Sequence, residues 1–255
     1  LAPEPDTMMR LTRCIALVAL SLGATLATAA ETATVLITGA NRGIGLEYAR
    51  QFKAKGYAVI GTARNPGEAT ELAALDVRVE ALDVTDAESV AALAKRLDGV
   101  SIDVLINNAG IGDRNDTSVL ATDLAMFERT LAVNTLGPLR VTQALLPNLR
   151  AGSRKHIVNM SSRLGSITLN NGNYPAYRAS KAALNQVNRS LSIELGKQGF
   201  VVVVVHPGWV RTEMGGAEAP LLPDESVRGL VKLIERLAAG DNGRFYDYLG
   251  EELPW

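Results

Sequence analysis

The sequence predicts one α/β domain built on a doubly wound parallel sheet with helices on both faces. Short runs rich in Val, Ile and Leu alternate along the chain with longer stretches of helical periodicity. The short runs are continuously apolar, which is typical of parallel strands that are buried on both faces. Because parallel strands joined by helices need right-handed crossovers, helices are expected on both sides of the sheet.

The alternation resolves into seven predicted strands and five predicted helices. The strands cover residues 34–38, 57–62, 77–82, 104–107, 156–161, 201–206 and 245–248. The helices cover residues 44–55, 86–97, 123–134, 176–196 and 224–239, and several open at a Thr or Asp that can cap the first turn. No linker-like tract and no internal repeat divides the chain, so a single domain is predicted.

Residues 1–30 have a different pattern from the rest of the chain. Arg10 and Arg13 precede an apolar run over residues 14–26, and small residues follow at 27–29. This order is typical of a secretory signal peptide, and the run is shorter than the roughly 20 residues of a membrane-spanning helix. The pattern over residues 9–30 predicts export to the periplasm, the alternative being a cytoplasmic protein with a non-native extension. The folded domain is predicted over residues 31–255, with no stable membrane span in the mature chain.

The composition excludes several function classes. The 255 residues include 26 basic and 27 acidic side chains, a formal net charge of −1. This balance lacks the positive surface expected of a nucleic-acid-binding protein. Two histidines, His156 and His206, and one cysteine, Cys14, give no ligand spacing for a transition metal and no disulfide within the chain. No metal site is therefore expected.

A glycine-rich loop follows the first strand and opens the first helix. Its sequence, Thr38-Gly-Ala-Asn-Arg-Gly-Ile-Gly45, has glycines at 39, 43 and 45. Glycines let a pyrophosphate approach the backbone, and the helix N-terminus behind them offers free N–H groups and a positive dipole. An ordinary tight turn is the alternative, but the strand–turn–helix context favours dinucleotide binding. The predicted contacts in this loop are Gly39, Asn41, Arg42, Gly43, Ile44 and Gly45.

The end of the second strand favours NADP(H) over NAD(H). An acidic residue there would bind the ribose 2′-hydroxyl of NAD, but this strand leads to Arg64 and no acid follows until Glu68. Arg64 and Arg42 can both pair with a 2′-phosphate through charge-assisted contacts. The alternative is that both are solvated surface arginines.

The third and fourth strands end in further candidates for cofactor binding. Asp83 and Val84 follow the third strand, where a carboxylate can accept a hydrogen bond from the adenine amino group. Asp83 is alternatively a cap for the helix that begins near Asp86. Asn108, Ala109 and Gly110 follow the fourth strand, where small residues allow close passage of the cofactor, or form a simple turn.

Tyr177 and Lys181 are the candidates for acid–base chemistry. They are four residues apart on a predicted helix and therefore share one face. A nearby ammonium favours the phenolate and is expected to lower the tyrosine pKa from its usual value near 10. Ser162, after the fifth strand, is placed to hydrogen-bond the same substrate oxygen. Taken alone, such a Tyr/Lys pair is usually structural.

Together these motifs resemble the short-chain dehydrogenase/reductase family over residues 32–255. The resemblance is carried by TGANRGIG (38–45), NNAG (107–110), VNTLGP (133–138), IVNMSS (157–162), YRASK (177–181) and HPGWVRT (206–212). It implies a Rossmann-type fold with seven parallel strands and an NADP(H)-binding catalytic domain.

The resemblance also implies roles for individual residues. Ser162, Tyr177 and Lys181 would be catalytic, and Asn134 would complete a proton relay by holding a water near Lys181. The contacts it implies at the nicotinamide end of the cofactor are Tyr177, Lys181, Pro207, Gly208, Val210 and Thr212. The family pattern S-x-x-G selects Ser162 over Ser161 because Gly165 follows it, and Tyr174 lacks a lysine four residues on.

Within the family, residues 206–216 and 250–255 look like C-factor and Sniffer-type carbonyl reductases. This resemblance implies reduction of an aldehyde or ketone by NADPH, with Leu164–Tyr174 and Trp209–Leu222 shaping the substrate site. A cofactor-binding signalling protein with little turnover is the alternative, and an epimerase or dehydratase is disfavoured because no separate substrate domain follows. A homodimer or homotetramer is expected, with Met126, Phe127, Leu131 and Leu184 as candidates for its interface.

Overall fold

The structure is a computed structural model that describes residues 32–255. Within them, seven strands form one parallel sheet in the order β3-β2-β1-β4-β5-β6-β7. The strands are β1 Thr34–Ile37, β2 Ala58–Ala63, β3 Arg78–Ala81, β4 Val104–Asn107, β5 His156–Met160, β6 Val201–His206 and β7 Phe245–Asp247. The predicted fold class and strand count are confirmed. The predicted signal peptide, residues 1–30, lies outside the described residues.

Eight α-helices connect the strands of the described chain. They are α1 Gly43–Ala54, α2 Thr70–Ala73, α3 Ala87–Arg96, α4 Leu124–Leu131, α5 Gly137–Ala144, α6 Leu146–Ala151, α7 Pro175–Gly196 and α8 Pro223–Arg236. A π-helical turn, Ala132–Leu136, joins α4 to α5. Asp86 and Asp123 cap helices as expected, since Asp86 accepts from the Glu88 and Ser89 N–H groups and Asp123 from that of Ala125. Asp224, with which a helix was predicted to open, instead lies inside the first turn of α8.

The sequence prediction missed α2, α5 and α6. Helix α2 has only four residues, too few to show a helical period. Helices α5 and α6 each have a proline in the first turn, which interrupts the apolar periodicity on which the prediction depended. A proline there is tolerated, because the N–H that it lacks would have no partner inside the helix.

Alternate strand residues face two separate cores. Val35 and Ile37 of β1 pack in the core that contains Tyr48 and Phe52 of α1 and the apolar face of α8. Leu36, between them, packs in the core on the other face, beneath α3 and α5. The sheet is thus covered on both sides, as continuously apolar strands require. Leu184 is 1% exposed and belongs to the interior, so the expectation that it lines a subunit interface is wrong.

The strand order reverses between β1 and β4. Chain segments that leave these two strands run to opposite sides and open a crevice at the carboxyl ends, where ligands bind in open α/β sheets. The glycine loop follows β1 and Ser162 lies just beyond β5, so both reach this edge. No helix within residues 32–255 combines the length and the apolar character needed to cross a bilayer.

We expect the stability of the domain to fall as the pH drops from 7 to 5. Burial lowers the pKa of His156 and of His206 to about 4, from an ordinary value of 6.5. The unfolded chain takes up protons below pH 6.5 while the folded chain does not, so each histidine costs on the order of 1 kcal/mol at pH 5. Urea unfolding at pH 7, 6 and 5 measures the effect.

His156→Gln supplies the matched control, because residue 156 begins β5 at the end of the sheet away from the cleft. The chain has only two histidines, so the variant should lose about half of the pH dependence between 6.5 and 5. An unchanged slope in this variant would contradict the assignment to His156.

Candidate active site

A cleft of about 1670 Å³ runs along the carboxyl edge of the sheet. All the residues predicted for catalysis or cofactor binding line it except Asn134, so segments far apart in the sequence meet there. Of the segments predicted to shape the substrate site, Leu164, Tyr174 and residues 209–215 line the cleft. The lining residues that the sequence analysis named are Gly39, Asn41, Arg42, Gly43, Ile44, Gly45, Arg64, Asp83, Val84, Asn108, Ala109, Gly110, Ser162, Tyr177, Lys181, Pro207, Gly208, Val210 and Thr212.

The backbone of the glycine loop suits a pyrophosphate group. Gly39 and Gly43 have φ angles of +64° and +56°, which L-residues with side chains rarely adopt. A Cβ at Gly45 would clash with the Gly39 carbonyl oxygen, so the turn closes only around glycine. Helix α1 has no side-chain cap and no acid in its first turn, which leaves N–H groups there for an anion. The residues present therefore fit a dinucleotide.

The Asn-Asn-Ala-Gly segment is fixed to the glycine loop by hydrogen bonds. The hydroxyl of buried Thr38 accepts from the backbone N–H groups of Asn108 at 2.9 Å and Ala109 at 3.0 Å. The Asn108 side-chain amide donates to the carbonyls of Thr38 at 2.9 Å and Gly39 at 3.0 Å. This segment is therefore a rigid wall of the cleft, and Asn108 acts by positioning the loop.

Charged groups at the other end of the cleft surround the predicted adenosine site. The Asp83 carboxylate accepts from the N–H of Thr85 at 2.8 Å and from its hydroxyl at 2.6 Å, and these bonds hold the pKa of Asp83 below its usual range, with Arg64 contributing. Asp86 caps α3, so the alternative role of Asp83 as a helix cap is wrong.

Arg42 has a partner that the sequence analysis did not anticipate. Its guanidinium lies 2.9 Å from the carboxylate of Glu213, and both side chains are largely exposed. The pair joins the glycine loop to the segment after β6 across the mouth of the cleft. Exposed pairs contribute little to stability, so Arg42 is readily released to another anion.

Lys181 is buried beneath the cleft on α7. It is 4% exposed, and its ammonium donates to the Met160 carbonyl oxygen at 2.7 Å. The same nitrogen lies 5.6 Å from the centre of the Tyr177 ring. Burial lowers the pKa of Lys181 to about 7, so the group changes charge near neutral pH.

Tyr177 lies on the cleft wall, one turn before Lys181. Loss of water around its hydroxyl raises the pKa of Tyr177 to about 12, and hydrogen bonding with Ser162 opposes this shift. The expectation that Lys181 lowers the tyrosine pKa is not met, because burial dominates the shift and raises the pKa of Tyr177. Tyr177 thus holds its proton at neutral pH, as a proton donor must.

The two adjacent serines have different surroundings. Ser161 is buried and its hydroxyl donates to the side-chain oxygen Oδ1 of Asn185 at 2.6 Å, a bond that attaches it to α7. Ser162 Oγ accepts from the Leu164 N–H at 3.1 Å and keeps its own O–H for a second partner. The geometry therefore agrees with the family pattern in selecting Ser162.

Asn134 lies behind the cleft, fully buried in the π-helical turn. Its carbonyl oxygen accepts from the Ile111 N–H at 2.8 Å, and its amide donates to the Ile111 carbonyl at 2.8 Å and to Ser180 Oγ at 3.0 Å. Both donors of the side chain are thereby used. Asn134 connects the wall of the cleft to α7, and its role in holding a water stays a prediction.

The end of the cleft predicted to bind the substrate is lined by Leu164, Tyr174, Trp209 and Met214. Trp209 and Met214 are 55% and 41% exposed, which is high for large apolar side chains. The Trp209 indole N–H donates to the Gly215 carbonyl at 2.8 Å and closes this segment on itself. Within residues 32–255, no cluster of three or more His, Cys, Asp or Glu side chains is arranged to hold a metal ion.

Comparison with known proteins places these features in a family. The family model for short chain dehydrogenase matches residues 33–220. C-signal from Myxococcus xanthus is 48% identical over 155 residues, which cover 60% of this chain and 93% of C-signal. Two solved structures are similar to this one. NADPH-bound carbonyl reductase from chicken fatty liver is 35% identical, with 88% of this chain and 99% of that chain covered, and superposes with a TM-score of 0.82. Carbonyl reductase Sniffer of D. melanogaster is 35% identical, with 88% of this chain and 100% of that chain covered, and has a TM-score of 0.83. The chain therefore belongs to the short-chain dehydrogenase family, as its motifs predicted.

Proposed function

We propose that this protein is an NADPH-dependent carbonyl reductase that converts an aldehyde or ketone to an alcohol. The observation that carries the proposal is the meeting of Ser162, Tyr177 and Lys181 in the same cleft as the glycine loop. Both structural relatives named above are carbonyl reductases, and one of them has NADPH bound.

In the proposed reaction, the glycine loop would hold NADPH, which when bound would supply a hydride for the carbonyl carbon. Tyr177 donates its proton to the carbonyl oxygen, so that C=O becomes CH–OH. The Ser162 hydroxyl donates a hydrogen bond to the same oxygen and keeps it beside Tyr177. Protonated Lys181 places a positive charge close to the Tyr177 ring and favours departure of the phenolic proton. The cleft wall at Asn108–Gly110 keeps the reacting groups aligned.

We expect Tyr177→Phe to abolish NADPH-dependent reduction of aldehydes, lowering kcat by about 10²-fold or more because the proton donor is removed. Binding of NADPH, measured by fluorescence of the reduced nicotinamide, should change little. Absorbance of the reduced cofactor measures the rate. Retention of most of the activity would mean that another group donates the proton.

We expect NADPH to be preferred over NADH through Arg42 and Arg64. Replacing either by Gln should raise KM for NADPH about tenfold, the usual strength of a charge-assisted bond to phosphate. NADH has no 2′-phosphate, so its KM in the same variants is the matched control. Glu213→Gln should lower KM for NADPH because it frees Arg42. Equal effects on NADH and NADPH would contradict the 2′-phosphate assignment.

We expect the reduction rate to fall as the pH rises through about 7, where buried Lys181 loses its proton. The sign follows from the depressed pKa: the ammonium is charged below that value and neutral above it. Profiles of kcat against pH should lose this limb in Lys181→Arg, since arginine stays charged. The test requires only that Lys181→Arg keeps enough turnover for its kcat to be measured at each pH. A limb that persists in it would assign the titration to another group.

A second candidate is a cofactor-binding signalling protein with little turnover, favoured by the 48% identity with C-signal. The two functions separate in a panel of aldehydes, ketones and quinones assayed with NADPH. Turnover that disappears in Tyr177→Phe supports the reductase. NADPH binding without turnover on any compound would favour the signalling function.

Localisation and assembly complete the proposal. We propose export to the periplasm from the pattern over residues 9–30, with the cytoplasm as the alternative.

We also propose that the protein forms a homodimer or homotetramer. Met126, Phe127 and Leu131 of α4 are partly buried, and Ile193 on α7 is 57% exposed, which leaves apolar surface on both helices.

A further inference from the structure

Residues 250–255, referred to below as the strap, lie outside the cleft and run along one edge of the sheet. Strand β7 is the last strand of the sheet, and the carbonyl of its first residue, Phe245, accepts from the Leu253 N–H at 2.8 Å. Glu252 pairs with Tyr246 in the antiparallel direction. The strap is therefore anchored on β7.

Trp255 joins the strap to the segment that follows Ser162. Its ring packs on the buried ring of Phe245, with 5.6 Å between the ring centres. Its carbonyl oxygen accepts from the Ser166 hydroxyl at 3.0 Å, from the Thr168 hydroxyl at 2.9 Å and from the Thr168 N–H at 3.3 Å. Three donors thus meet at one oxygen, and they fix this segment relative to β7.

The segment bound to the strap is continuous with the turn that orients Ser162. Ser166 is 1% exposed, and its N–H donates to the Arg163 carbonyl at 3.1 Å, which closes the 3₁₀ turn Arg163–Gly165. Within that turn, the Leu164 N–H donates to Ser162 Oγ at 3.1 Å. A displacement of Ser166 therefore moves the donor that holds the Ser162 side chain.

The same turn also rests on α7. A Cβ at Gly165 would lie 2.9 Å from the backbone carbonyl carbon of Lys181, so the turn packs directly on the backbone of this helix. The Asn185 side-chain amide donates to the Gly165 carbonyl at 3.3 Å, a long bond. Packing on a helix backbone permits sliding, whereas the shorter bonds to Trp255 have defined lengths and directions. The strap therefore supplies the restraint that α7 leaves weak.

We infer that Ser166 and Thr168 are positioning residues: bound to the strap, they keep the Ser162 hydroxyl aimed at the substrate carbonyl oxygen. The inference rests on the proposed function. A displacement of about 1 Å at a reacting group can slow a reaction on the order of 10²-fold, so contacts outside the cleft can control the rate. Loss of these contacts should lower kcat through Ser162. Cofactor binding depends on the glycine loop and should not change.

The test is a double-mutant cycle between the strap contacts and Ser162 in the full-length protein. Ser166→Ala and Thr168→Val remove the two hydroxyl donors, singly and together, in the wild type and in Ser162→Ala. Thr168 is exposed and valine has nearly its shape, so Thr168→Val serves alone if Ser166→Ala does not fold. Glu252→Gln is the matched control, because it removes the strap's exposed ion pair with Arg244 and keeps the bonds to Trp255.

The rate is measured with NADPH and whichever compound of the aldehyde, ketone and quinone panel the wild type reduces fastest. We expect the double variant to lower kcat about 5- to 20-fold in the wild type and less than about twofold in Ser162→Ala, where the positioned group is absent. NADPH affinity in the double variant, and kcat in Glu252→Gln, should stay within about twofold of wild type. Single-turnover decay of the reduced-nicotinamide absorbance, with protein in excess, gives the rates of slow variants.

Two outcomes overturn the inference and leave the reductase in place. One is an unchanged kcat in the double variant. The other is an equal loss in both backgrounds, because the strap would then act on the fold as a whole and not through Ser162. Absence of NADPH-dependent turnover of every compound by the wild type overturns the proposed function and this inference with it.

Discussion

The site depends on the way in which α7 is attached to the sheet. The buried face of this helix is largely polar, with Ser180, Lys181, Asn185, Asn188 and Ser192 all inside the protein. Ser161 donates to the side chain of Asn185, the Asn159 side-chain amide donates to Asn188 Oδ1 at 2.9 Å, and the Met160 carbonyl accepts from Lys181. Hydrogen bonds have fixed lengths and directions, whereas apolar contacts tolerate sliding. The helix can therefore neither rotate nor shift by a residue without breaking several buried bonds, and Tyr177 stays beside Ser162.

This attachment has a cost that is concentrated in Lys181. A buried ammonium with a single carbonyl partner is poorly solvated, and its depressed pKa expresses that cost. Burial acts on Tyr177 in the opposite sense and keeps its proton on. The same desolvation thus brings the pKa of Lys181 close to neutral pH and moves the pKa of Tyr177 further from it. A strongly perturbed pair in a cleft is the arrangement expected of an acid–base site, where stability is given up for reactivity.

The parts of the molecule that could be predicted from the sequence are those whose physical cause is local. Most of the strands were found because they are apolar runs, although β3 contains Arg78 and Glu80, and the glycine loop was found because three glycines and a helix start occur within eight residues. The ion pair between Arg42 and Glu213 joins residues distant in the chain, and no local pattern marks it. The direction of the Tyr177 pKa shift was missed for a related reason. The i, i+4 spacing identifies the lysine, but the burial that raises the pKa of Tyr177 is set by the whole fold.

The two ends of the cleft differ in the same way, since one is built from local sequence motifs and the other from contacts between distant residues. The cofactor end is built from backbone: positive-φ glycines, a helix N-terminus and a hydroxyl that binds N–H groups, all encoded in short motifs. The substrate end is built from side chains held by distant partners, as Asp116 holds the turn that contains Tyr174. Substitutions there can change the shape of the pocket without touching the motifs that bind the dinucleotide. In this family the cofactor site can therefore be recognised from short sequence motifs, whereas the shape of the substrate site has to be derived from tertiary contacts.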